Sequence, residues 1–350
     1  MKTDVLENEK LKINDEVLLE YIKSKSSFAK TLYVDLGVKI VRLICYNEQF
    51  IPHIEKQLTY TMRENASKYD TTVILWLQED IDKISEVKGL FVSSENNGDK
   101  YADYVISDAT ITAASADMTT FYYGVKNLEP EIFIREGHLL VKILYNILKT
   151  DTTTLVHGAC VGTDGKGILL CARGQRGKST LAVLSMIEGF EYVSDDYLTL
   201  EKDNGNLYAN PIYSIITLSP RMYNELYDKL DGTRFISNNA RKDKYVINIA
   251  NFHDRFRKKY PINLCMSMDF TTDENPSIEE SSVQEKGRAI TQLIHSTIAQ
   301  MFDIYDAALV KKIIGMVNGF KFYKINLCND IYKNVYALRD FMKEYEGNKL

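Results

Sequence analysis

Apolar and polar positions follow two different periods along this chain of 350 residues. In its first third, short runs rich in β-branched and aromatic residues predict strands, as in TLYVDLGVKIVRLICY (Thr31–Tyr46) and TTVILWL (Thr71–Leu77). The stretch from Asn96 to Val125 adds a turn and two further strands, and one or two helices complete this part. KNLEPE (Lys126–Glu131) reads as a boundary, after which HLLVKILYNILK (His138–Lys149) takes helical spacing. From Asp151 the pattern becomes strand, turn, strand, helix, strand. Near the end, Arg288–Phe302 and Ile331–Tyr345 predict helices flanking a strand over Phe320–Leu327. Asp231–Tyr245 is polar and predicts a mobile loop. The expected fold class is α/β, with an N-terminal mixed α/β domain over residues 1–128. A second domain over residues 129–350 carries a mixed sheet with flanking helices.

Within that second domain, LLCARGQRGKSTLAVL (Leu169–Leu184) runs from an apolar strand through glycines into an apolar helix. A phosphate cradle needs converging backbone N–H groups, which glycine permits, and a helix N-terminus with its partial positive charge. Gly174, Gln175, Arg176 and Gly177, followed by a helix from Lys178, supply both. Lys178 would reach the outer phosphates, and the Ser179 hydroxyl would ligate Mg²⁺. The pattern G-x-x-x-x-G-K-[ST] is met except at its first position, where Ala172 stands for glycine. Such a match occurs by chance in basic turns, so its neighbours in the fold decide its weight.

Two neighbours bear on it. Asp164-Gly165 between apolar runs predicts a two-residue hairpin turn. Pairing Thr163 with Lys166 would set Ala172 opposite His157, beside the start of the cradle. Downstream, Gly189 predicts a helix stop and Phe190–Ser194 a strand parallel to Ile168–Ala172. Their carboxyl ends then share the edge where open α/β sheets bind ligands, and Asp195-Asp196 sits there. One carboxylate would hold Mg²⁺ and the other take a proton from an attacking hydroxyl, in either assignment. Alone, such a pair is a solvated acidic turn, and a lone histidine a satisfied strand residue. Arg173 and Arg176 lie in the loop, where an arginine can stabilise a transferring phosphoryl group or simply face water. Arg234, Arg241 and Lys244 flank the polar segment, as closing cations or as a solvated linker.

Composition narrows the function classes. A net charge of −5 argues against nucleic-acid binding as the main task. The five cysteines (Cys45, Cys160, Cys171, Cys265, Cys328) lack paired spacing and sit in apolar stretches, as buried thiols in a reducing cytosol would. The five histidines show no metal-ligand spacing. No secretory signal or bilayer-spanning run is apparent, so a cytoplasmic protein without membrane partners is expected. The 23 tyrosines are spaced as core residues rather than as a stacking platform.

The stretch Val156–Glu201, VHGACVGTDGKGILLCARGQRGKSTLAVLSMIEGFEYVSDDYLTLE, resembles the core of the HPr kinase/phosphorylase superfamily. That family has a strand with His-Gly, a hairpin, a glycine loop ending in Gly-Lys-Ser, and an Asp-Asp pair after the first helix. Its relatives include peptide kinases, amino-acid kinases and, more distantly, ATP-dependent phosphoenolpyruvate carboxykinases. The resemblance implies ATP and Mg²⁺ at Gly174–Thr180, with Ser179, Asp195 and Asp196 as metal ligands. It also implies catalytic roles for Asp195, Asp196, His157 and Lys178. Thr180 follows the serine where HPr kinases tend to have an acid, and the family's downstream signature is not found, so HPr is not the expected acceptor. The expected activity is Mg²⁺-ATP-dependent phosphoryl transfer to a hydroxyl of a peptide, protein or small molecule. A nucleotide-binding regulator or assembly protein without transfer is the alternative, and self-association is left open.

Overall fold

The computed structural model describes residues 11–93, 103–106, 109–128, 134–135, 138–230, 234–239, 244–301 and 306–347. The chain packs as two units, Met1–Ile143 and Leu144–Leu350, so the division falls after Ile143, C-terminal to the expected 128/129 limit.

The first unit is built on a seven-stranded mixed sheet. Three parallel strands, Ile40–Cys45, Thr71–Leu77 and Thr120–Val125, form its middle. Antiparallel partners extend it on either side, Lys30–Asp35 and Met62–Arg63 on one and Thr110–Ala114 and Asp103–Ile106 on the other. The central strand TTVILWL is apolar because both its faces are covered. The helix Asp15–Lys25 starts at Asn14, whose Oδ1 accepts from the Val17 N–H (3.3 Å). Leu18 and Ile22, one helical turn apart, join Ile13, Trp76, Ile111 and Tyr122 in the core. The expected strand pair Thr31–Tyr46 is present as a hairpin. Three strands, not two, occupy the described part of 96–125.

The second unit carries the chemistry. Its strands are β1 (Thr153–His157), β2 (Ala159–Thr163), β3 (Lys166–Cys171), β4 (Glu191–Ser194), β5 (Tyr197–Asp203), β6 (Asn206–Pro211), β7 (Ile215–Leu218), β8 (Arg234–Asn239), β9 (Lys244–Asn248), β10 (Tyr260–Phe270), β11 (Ser277–Glu280) and β12 (Lys321–Leu327). Its helices are α1 (Lys178–Ile187), α2 (Pro220–Leu226), α3 (Val283–Met301), α4 (Ala307–Val317) and α5 (Ile331–Gly347). The main mixed sheet runs β1-β5-β6-β10-β3-β2-β4, with β12 and β11 continuing from β10. β3, β10 and β12 are mutually parallel, while β2 is antiparallel to both β3 and β4. β3 and β4 therefore run the same way with β2 between them. α1 packs on β2 and β4, and α3 on β1, β3 and β12. The architecture is mixed α/β with a mixed sheet and flanking helices.

The Asp164-Gly165 turn forms as expected, with φ of 48° and 74°, the left-handed pair a tight hairpin demands. The expected register does not persist to His157. β2 pairs with β3 only back to Ala159↔Leu170, and His157 pairs with Tyr197 on β5. The reason is a switch of sheet at Gly158, whose N–H donates to the Asp196 carbonyl (2.9 Å) rather than continuing the hairpin. The expected loop over 231–245 also needs correction. β8 and β9 occupy all of its described part and pair in a three-stranded sheet with β7. Backbone pairing satisfies strands whose polar composition hides them. Arg241 lies outside the described residues. The helices expected over 288–302 and 331–345 and the strand over 320–327 are present, and α4 is an addition between them.

Candidate active site

One edge of the main sheet gathers the ends of five strands. His157 closes β1, the segment from Ala172 to Gly177 follows β3, Asp195-Asp196 follows β4, Asp269-Phe270 closes β10, and Leu327-Cys328 marks the end of β12. Ligands bind at such an edge in open α/β sheets because loops there leave crevices above the strand ends.

Sequence and geometry agree at the glycine loop. Gly177 caps α1 in the left-handed region (φ 83°), and Gln175 is left-handed as well (φ 65°). Alternating hand of this kind turns successive backbone N–H groups toward one concavity, which favours an anion. The positive φ is what favours glycine at 177, and a side chain there would also press on the tip of Leu327, whose Cδ1 would lie 2.9 Å from the new Cβ. Ala172, in place of the usual glycine, is buried at the strand end, while Arg173, Gly174, Gln175 and Arg176 face solvent. Ser179 and Thr180 lie half-buried in the first turn of α1. The helix ends as its glycine predicts: Gly189 donates to the Met186 carbonyl and Phe190 to that of Ser185, so the chain turns sharply into β4.

Beside the loop lies a buried ionic cluster. Lys178 is only 5% exposed and Asp196 8%. The Lys178 ammonium donates to the Asp195 carbonyl (3.1 Å) and lies 3.5 Å from Asp196 Oδ1. The same Oδ1 is 3.4 Å from His157 Nε2, and Thr217 Oγ1 on β7 donates to Asp196 Oδ2 (2.9 Å). A buried carboxylate is costly unless paired and hydrogen-bonded, and Asp196 has both. His157 is held from behind: Thr297 of α3 accepts its backbone N–H (3.0 Å), Ser296 donates to its carbonyl (3.2 Å), and its ring meets Tyr197 edge-on. Asp195 is buried too, and its charge with that of Asp196 adds to burial in holding the Tyr192 hydroxyl well above its ordinary pKa.

The structure thus brings His157, Lys178, Asp195 and Asp196 together beside Gly174–Thr180. Arg176 points elsewhere, to Asp269 Oδ1 (2.8 Å). Thr217, Ser296 and Thr297 were not legible as part of the site, since only strand order and helix packing bring them there. Among the described residues no group of three or more His, Cys, Asp or Glu stands ready to hold a metal alone. The donor set nonetheless suits Mg²⁺, which takes one or two carboxylates and completes its shell with phosphate oxygens and water. All five cysteines are free and buried, as expected.

No family model matches the chain, and no curated protein matches it in sequence. Among solved structures, an HPr(Ser) kinase/phosphatase from Coxiella burnetii aligns with 55% of this chain and 99% of its own, at 15% identity and a TM-score of 0.30. A likeness that shallow adds nothing to the site, whose case rests on its own geometry. Among the described residues, no helix is long and apolar enough to cross a membrane.

Proposed function

We propose that the second unit is a Mg²⁺-ATP-dependent phosphotransferase that passes a phosphoryl group to a hydroxyl. The observation that carries this reading is the convergence of Lys178, His157 and Thr217 on the buried Asp196, directly beside a left-handed glycine loop at a helix N-terminus. A site that only bound nucleotide would need the loop and the lysine, but not a buried carboxylate in contact with an imidazole.

In this reading the amides of Gly174–Lys178 hold the phosphates by backbone donation. Lys178 swings from Asp196 to the outer phosphates and stabilises charge that grows on the leaving oxygens. Asp196 accepts the proton of the acceptor hydroxyl, with His157 and Thr217 fixing its orientation. Ser179 and Asp195 would hold Mg²⁺, which neutralises phosphate charge and aligns the transfer. The acceptor class stays open among peptide, protein and small-molecule hydroxyls, and HPr is not the expected one.

The test uses purified full-length chain, γ-labelled ATP and cell extracts, with mass spectrometry of the labelled species. Labelled product from the parent, lost in Lys178→Met together with an ATP affinity at least about tenfold weaker, is the expected result. Equal calorimetric ATP affinity in parent and variant would remove the phosphate-cradle reading.

A further inference from the structure

A cavity of about 250 Å³ opens on the other flank of the glycine loop, sharing Gly177 and Thr180 with it and otherwise lined by residues to which no role has been given so far. Its walls include Gly177, Met222, Phe270, Leu327, Asn329 and Asn334. We infer that this cavity is the nucleoside subsite, which receives the base of a nucleotide whose phosphates lie in the loop. The inference rests on the phosphotransferase reading above.

Strand order sets the direction. β3, which leads into the loop, has β2 and then β4 on one side, and β10 with β12 on the other. Asp195-Asp196 follows β4, whereas Phe270 closes β10 and Leu327 closes β12. A phosphate chain laid across the loop therefore has its reacting end at Lys178 and Asp196, and its far end toward Phe270 and Leu327. Loop and cavity also touch: a Cβ on Gly177 would lie 2.9 Å from Leu327 Cδ1 and 3.6 Å from Phe270 Cζ. β7 and the helix after it tie both halves together, since Thr217 on β7 reaches Asp196 while Met222 on α2 lines the cavity.

The lining chemistry suits a flat heteroaromatic ring. Phe270 is an exposed aromatic ring (55% exposed) at the mouth, at the end of a strand that is buried from Leu264 to Met268. Leu327 and Met222 add apolar and polarisable surface, as pockets for ring systems usually have. Polar edges come from Asn329 and from the rigid turn beneath it. The Asn334 amide donates to the Cys328 carbonyl (3.0 Å) and accepts from the Cys328 N–H (2.9 Å), so the floor is fixed before any ligand arrives. The volume is below the usual range for a drug-sized ligand, so one ring system with part of a sugar fits and a whole nucleotide does not.

Calorimetry with two probes, Mg²⁺-ADP and inorganic tripolyphosphate, separates the base from the phosphates. Met222→Trp fills the cavity from its half-buried rim, and Phe270→Ala removes the exposed ring at little cost to packing. Both variants should bind ADP about tenfold more weakly or worse, with tripolyphosphate affinity unchanged. Unchanged ADP affinity in both variants, or equal losses for both probes, would overturn the subsite while leaving the cradle standing. A parent that binds tripolyphosphate as tightly as ADP would do the same. Failure of the parent to bind either probe would instead overturn the phosphate site, and the subsite with it.

Discussion

In both units three parallel strands end on a common sheet edge, yet the groups that occupy the two edges differ in kind. In the first unit those strands end at Cys45, Leu77 and Val125, and the polar side chain that follows the central one is Gln78. Its Oε1 accepts from Trp76 Nε1 (3.3 Å) and from the Tyr21 hydroxyl (3.1 Å), and its Nε2 donates to the Asp80 carbonyl (2.8 Å). A neutral amide is satisfied on every side there, by partners that also hold the fold. In the second unit the corresponding edge holds a lysine, a histidine and two carboxylates, all buried, next to left-handed backbone. Sheet architecture alone does not make a site. Buried charge beside a left-handed glycine loop is what marks the second edge as a candidate.

That contrast can be broken most sharply at Asp196. Asp196→Asn keeps the shape but removes the negative charge, and phosphoryl transfer should fall on the order of 10²–10⁴-fold while nucleotide binding stays measurable. Where no acceptor is known, slow ATP hydrolysis serves as the readout. Parent-level turnover in this variant would reduce the second edge to structural polarity like the first.

The loop glycines offer a paired comparison of smaller size. Gly177→Ala places a side chain at φ 83° and against Leu327, and should cost about 1–3 kcal/mol in denaturant unfolding. A Cβ on Gly174 would meet nothing within 4 Å, and this residue lies outside the left-handed glycines. Gly174→Ala should therefore change stability by less than about 1 kcal/mol. Tripolyphosphate binding should nonetheless weaken in Gly174→Ala if phosphate approaches its backbone closely. Stability losses of equal size would show that the loop is not held as described.

On the first unit, Gln78→Leu strips the acceptor from two donors, one of them the indole of the buried Trp76. A stability loss of about 1–3 kcal/mol with unchanged ADP affinity is expected. Altered ADP affinity would contradict the assignment of nucleotide chemistry to the second edge alone. The smallest effect belongs to Arg176 and Asp269, an exposed pair on the loop's surface. Asp269→Asn should shift stability by no more than ~1 kcal/mol, and less at high salt, in a melting experiment.

Local signals in the sequence were the ones that translated into structure. Asp164-Gly165 specified its turn because only left-handed residues close a two-residue hairpin, and Gly189 ended α1 for a similar reason. His157 shows how far such reasoning reaches. It does lie beside the loop, but by pairing with Tyr197 after a change of sheet, which no local pattern announces. Thr217, Phe270 and Leu327 were hidden because their relevance depends on which strands neighbour β3 and β4. Strand order is settled by packing over the whole unit, and a residue's own neighbours in sequence carry little of it. The polar look of Asp231–Tyr245 misled for the opposite reason, since main-chain pairing with β7 asks little of side-chain hydropathy.

β10 joins the two halves of the main sheet, pairing with β6 at Tyr260 and with both β3 and β12 farther along. On a ribosome, the glycine loop leaves the exit tunnel well before the strand that must lie beside it, and earlier still than β12. Until then β3 has β2 as a hairpin partner but an open flank where Leu169 will meet Cys265. Pairings so distant along the chain close slowly and leave strand edges unprotected in the interval. The last quarter of the chain therefore governs when the glycine loop gains its neighbours, and synthesis halted before Tyr260 would release the β2–β3 hairpin and α1 with no brace beneath the loop.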